Sequence, residues 1–170
     1  MQKYSESTER RFIKLIVGGI LGLFLFITLA IVGLLASAAL PLAQLVAQRE
    51  KEAELRSVLR QIRGALDAYK LAADTGHITL EVGASGYPPD LKSLYAGVED
   101  AASEKKVKLY FLRRLPRDPF FPDGSVPAEG TWGLRSYASP PDDPQAGDDV
   151  YDVYSLASGK GLNGVLYHDW

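Results

Sequence analysis

The chain of 170 residues contains no cysteine. Disulfides, thiolate metal sites and cysteine nucleophiles are therefore excluded, and redox usage leaves the compartment open. Histidine is almost as scarce: His77 and His168 are the only two, far apart in sequence and in no metal-ligand spacing. Positive charge is not in excess, with 19 Lys and Arg against 21 Asp and Glu, so no broad nucleic-acid surface is expected. Ser85 sits in GASG, which is not a nucleophile elbow, and neither a Walker loop nor a dinucleotide-binding glycine fingerprint occurs. These absences point away from catalysis.

What is present is a long apolar run. Leu15 to Ala43 carries no charge and no amide. As a helix it would extend about 43 Å, more than the roughly 30 Å of bilayer hydrocarbon. A buried core helix of that length would show a polar face. A secretory signal would have a shorter apolar region ending at a small-residue site. Ala36-Ser37-Ala38 resembles such a site, but the apolar residues continue to Leu45. A retained membrane anchor is the expectation. Lys3, Arg10, Arg11 and Lys14 precede the run and favour a cytoplasmic N-terminus. Gly18 and Gly22 form a G-x-x-x-G, whose reading as a helix-pairing motif competes with simple composition. Pro41 should loosen the helix by removing a backbone donor.

From Gln48 the pattern turns amphipathic. Leu55, Val58, Leu59, Ile62, Leu66 and Tyr69 recur at three- and four-residue steps, one apolar stripe on a helix. Glu52 with Arg56, and Arg63 with Asp67, are expected to pair along its wet face. Gly76 reads as the helix stop. The stripe covers barely two heptads, which favours packing on the chain's own domain over a coiled coil. Beyond it, Asp90 can cap a short helix bearing Leu91, Leu94 and Tyr95. Glu99 to Lys108 reads as an exposed charged helix or loop, and Arg117 with Asp118 as a structural pair at a turn. Thr131 to Ala138, Val150 to Leu156 and Val165 to Tyr167 read as strands. The expected organisation is a tail over 1–14, a membrane half-helix over 15–46, an amphipathic half-helix over 47–76 and a sheet domain over 77–170. The fold class is α+β, a long helix packed on a small antiparallel sheet.

Several residue sets together resemble the type IV pilin and pseudopilin superfamily, most closely the major pseudopilin of type II secretion systems. They are Ala30 to Ser37 with Pro41, Leu66 to Lys70, Tyr87-Pro88 with Leu91 and Leu94, Arg114 to Phe120, Trp132-Gly133, Tyr151 to Ser155, and Asp169-Trp170. The resemblance implies a single-pass bacterial inner-membrane protein with its C-terminal domain in the periplasm. It also implies assembly with copies of itself or other pseudopilins into a helical filament on an inner-membrane secretion platform, driving protein export. A prepilin peptidase would cut after Gly19, leaving Ile20 first, with Gly33 and Pro41 in the assembly helix. Phe24 then stands where the family has a glutamate that neutralises a neighbour's amine within lipid. The acidic calcium loop of major pseudopilins corresponds here to Ser158 to Gly164, which lacks a carboxylate. Asp142, Asp143, Asp148 and Asp149 supply carboxylates in another loop, and a solvated acidic turn competes with a calcium site there. Phe24 and the missing acidic loop also keep a second reading open, a single-span periplasmic adaptor or binding protein that does not polymerise.

Overall fold

The computed structural model describes residues 2–170, without the side chains of 2–13, 15 and 38–40. The chain divides into two units, Met1–Ala47 and Gln48–Trp170.

One helix, α1, covers Gln2–Asp74 and continues through Pro41, so the expected loosening does not interrupt it. Within the first unit its described large apolar side chains are exposed, over Ile16 to Leu35 and Leu42 to Val46. Two hydroxyls in its apolar stretch are satisfied inside the helix: Thr28 Oγ1 donates to the Leu25 carbonyl at 2.8 Å and Ser37 Oγ to that of Leu34 at 2.7 Å. Back-bonding of this kind lowers the polar demand of an apolar helix.

In the second unit α1 is the spine of the core. Leu55, Leu59, Ile62, Leu66, Tyr69 and Ala73 are buried on the stripe that the three- and four-residue spacing predicts. Leu94, Trp132, Val150 and Val153 close over them. The helix ends where Gly76 takes a left-handed φ of 79°. The Gly76 N–H reaches the Ala73 carbonyl at 3.1 Å and the His77 N–H that of Ala72 at 2.9 Å, a Schellman closure that satisfies two terminal carbonyls.

The remaining elements are short. Helix α2 is Ser93–Ala96, and Asp90 Oδ1 accepts from both the Ser93 N–H and its hydroxyl at its start. Strands β1 (Val98–Glu99) and β2 (Lys108–Leu109) form an antiparallel hairpin. The charged segment 99–108 is thus the mostly exposed loop of a hairpin, the second of the two forms expected. Strands β3 (Trp132–Arg135) and β4 (Asp152–Ser155) pair antiparallel, with Gly133 opposite Tyr154 and Leu134 opposite Val153. Both fall inside the predicted strands but are only half as long, because Pro140 to Pro144 and the Asp149 turn stop the ladder. The third predicted strand is replaced by one bridge, Lys160 to Leu166, and a 3₁₀ turn over Tyr167–Asp169. The architecture is α+β and pilin-like: a long N-terminal helix packed on small antiparallel sheets.

Candidate functional site

Two places carry chemistry. The first is the apolar length of α1. Gly19 and Gly33 have open space around them, with no heavy atom within 4 Å of an added Cβ. Ile20 and Phe24 are exposed and share a shallow depression of about 180 Å³ with Val17 and Leu21. Gly19, Ile20, Phe24, Gly33 and Pro41 therefore lie along one uninterrupted helix whose large apolar side chains, among the described residues, are exposed from Ile16 to Val46. That helix is long and apolar enough to cross a membrane, and none of its most apolar window is buried.

The second is the seam where α1 meets β4 and the last loop. Glu52 was expected to face water and pair with Arg56; it is instead 5% exposed. Its Oε1 accepts from the Leu162 N–H at 2.8 Å, from Gln48 Nε2 at 3.1 Å and from the Tyr167 hydroxyl at 3.2 Å. A carboxylate removed from water needs such donors, and here three neutral ones converge on one oxygen. Burial pushes the Tyr167 phenol above its ordinary range, opposed by the Gln48 amide and reinforced by the nearby Glu52 charge. The loop 158–164, which by resemblance corresponds to the family's calcium loop but carries no carboxylate, is thus fastened to the helix through its Leu162 amide.

Arg63 likewise departs from its expected partner. Its Nε donates to Asp152 at 2.7 Å rather than to Asp67, while its second nitrogen bridges the carbonyls of Val153 at 3.1 Å and Trp170 at 2.8 Å. Arg56 lies over the Trp170 ring at 4.2 Å instead of on Glu52. The planar fork of arginine suits both arrangements, bridging several acceptors or stacking on an aromatic face. The predicted Arg117–Asp118 pair is also absent. Asp118 is buried and accepts from the Ser155 hydroxyl at 2.5 Å and the Phe120 N–H at 2.8 Å. Arg117 instead donates to the carbonyls of Val126 and Asp123. The β4 residue Ser155 is therefore held to the segment carrying Arg114 to Phe120 by a carboxylate–hydroxyl bond, not by an ion pair.

Sequence reasoning missed Glu52, Asp118, Arg63 and Trp170 as tertiary ties. For Glu52 a signal existed: positions 52, 55, 59 and 62 fall on one helical stripe, so a charge there lies on the buried side. Nothing comparable marked Asp118, whose acceptor role depends on two distant segments meeting.

The acidic loop is not drawn into the seam. Asp143 accepts from the Gln145 side chain and Asp149 from the Tyr137 N–H, each at 2.8 Å. Among the described residues no three carboxylates or histidines are grouped to hold a metal.

Comparison with protein-family models, with curated proteins and with solved structures gives no match to this chain.

Proposed function

We propose that this chain is a pseudopilin-like structural subunit that assembles through its N-terminal helix in a type II secretion machine or a related pilus-like machine of the bacterial inner membrane. One observation carries the reading. The globular unit has its own hydrophobic core from Leu55 onward, whereas the described large apolar side chains from Ile16 to Val46 are exposed. Such a surface needs lipid or like helices, and it can pass from one to the other with little change in apolar environment. Export would follow from adding subunits at the base of the filament. The secretion platform, the other pseudopilins and a prepilin peptidase acting after Gly19 belong to this reading. The adaptor reading has its own support in Phe24, an apolar side chain where charge pairing between neighbours would need a carboxylate.

The absence of cysteine makes a clean test. Paired substitutions on the apolar helix, such as Ile27→Cys with Leu35→Cys, introduce the only thiols in the chain. Oxidative cross-linking in membranes containing the secretion machine should give a ladder beyond the dimer, whereas monomers alone would favour the adaptor. Intact mass after co-expression with a prepilin peptidase supplies the second readout, a product beginning at Ile20 being expected for an assembling subunit.

A further inference from the structure

On the outer side of the seam, three arginines line one face of α1. Arg56, Arg60 and Arg63 are spaced four and three residues apart, so their side chains project from successive turns along one line. They form one wall of a cleft of about 370 Å³ whose opposite wall is Asn163, Val165 and Trp170. A second cleft of about 290 Å³ shares Arg63 and Trp170 with it and adds Arg135 and His168. The single carboxylate common to both is Asp169, which is hydrogen-bonded to His168 at 3.1 Å. Asp152, in the second cleft, is already engaged by Arg63.

The charges in this cleft are not balanced by the chain. Arg63 is neutralised through Asp152, but Arg56 and Arg60 have no acceptor among the described residues. Like charges four apart on a helix repel, so this arrangement opposes helix stability unless an anion joins it. Arg56 Cζ lies over the Trp170 ring, 4.2 Å from its centroid, a contact that engages the face of the guanidinium and not its N–H donors. Trp170 itself has the one buried side-chain donor without a partner among the described residues, its indole N–H. A chain with a formal net charge of −2 has thus concentrated two unpaired guanidinium groups and an amide side chain beside the Trp170 ring in one recess.

We propose that this cleft binds a phosphoryl group, taken as a fork-to-oxyanion contact by Arg56 and Arg60 and closed on the far side by Asn163. A tetrahedral oxyanion with several acceptor oxygens matches two arginine forks one turn apart better than a single carboxylate does. The group can be a free phosphate or the headgroup phosphate of an anionic lipid, since both offer the same oxygens.

The test uses the full chain in uncharged detergent, titrated with inorganic phosphate and followed by phosphorus NMR line broadening and tryptophan fluorescence. Saturable binding is expected, weakened about tenfold or more by Arg60→Gln and by Arg56→Gln. Asp169→Asn should tighten binding by removing the opposing charge, a change of opposite sign that misfolding would not produce. Arg113→Gln with Arg114→Gln, exposed arginines outside the cleft, should leave affinity unchanged. Non-saturable binding, equal affinity in the Arg56 and Arg60 variants, or an equal loss in the Arg113/Arg114 variant would overturn the proposal. Repeating the titration in phosphatidylcholine and phosphatidylglycerol nanodiscs assigns the source. Competition by phosphatidylglycerol identifies the lipid headgroup, and unchanged affinity identifies a soluble phosphate.

Discussion

Replacing Glu52 by alanine should be among the most damaging single changes to the globular unit. Glu52 Oε1 is the acceptor for the Leu162 N–H and the Tyr167 hydroxyl, both in the seam between α1 and the last loop. Alanine leaves two donors without an acceptor, at about 1–3 kcal/mol each, so the expected loss is about 2–6 kcal/mol. The lower end applies if the Gln48 amide, which already contacts the Tyr167 oxygen at 3.1 Å, turns to accept from it. Against a typical domain stability of about 5–15 kcal/mol this is a large fraction. For a unit of this size it corresponds to a fall in Tm of about 10–25 °C. The assay is near-ultraviolet circular dichroism of the full chain in detergent, since the apolar helix will keep its far-ultraviolet signal in micelles. Glu52→Gln retains a carbonyl acceptor and should cost only about 1 kcal/mol. The double variant Glu52→Ala with Tyr167→Phe should show a coupling of at least about 0.5 kcal/mol, because the two share a hydrogen bond. A Tm for Glu52→Ala within about 2 °C of the parent would refute the reasoning and make the convergence of donors incidental.

Two further outcomes follow from specific contacts. An added Cβ at Gly133 would lie 2.1 Å from the ring of Tyr154, its cross-strand partner, so Gly133→Ala should lower the denaturation midpoint by the equivalent of about 1–3 kcal/mol. Adding Tyr154→Ala should recover part of that loss, and no recovery would mean that the strain lies elsewhere. Tyr95 donates its hydroxyl to Glu129, a bond that chiefly holds the Glu129 carboxyl below its ordinary 4.5 and the Tyr95 phenol above its ordinary 10.0. The Glu129 contribution is present above 4.5 and lost as pH falls through its lowered folded value. The Tyr95 contribution is present below 10.0 and lost as pH rises through its raised folded value. Tyr95→Phe should therefore flatten both limbs of a stability–pH profile, and unchanged limbs would show the bond to be inactive in solution.

The long helix, its buried stripe, its stop at Gly76 and the positions of the two main strands were legible because each depends on local periodicity or on one residue's conformational freedom. Leu55 through Ala73 repeat at helical steps, and Gly76 alone can take the left-handed turn cheaply. The misreadings share a cause. Arg63 sees Asp67 one turn away along the helix, but Asp152 offers a partner whose geometry also lets the guanidinium reach two carbonyls. Arg117 and Asp118 are adjacent, yet adjacency along an extended chain sends their side chains in different directions. The third strand failed because Gly161 and Gly164 fold the segment into a tight turn before a ladder can form: the Gly164 N–H closes on the Gly161 carbonyl at 2.8 Å. Local rules identified which residues are buried, while long-range partners decided what the polar ones do. The roles expected of Gly19, Ile20 and Phe24 rest on the resemblance alone, since exposed side chains on a helix offer no contacts to interpret.

The ties between α1 and the C-terminal segments leave the helix at Gln48, Glu52 and Arg63, spread over about 22 Å of its length. An axial pull on the helix would load these bonds together, in shear, along with the apolar stripe beneath them. Bonds strained in parallel must fail at once, whereas the rungs of a hairpin opened from one end fail one after another. The globular unit is thus fastened to its helix in the manner that best resists being dragged, and the strand pairs, short as they are, carry little of that force.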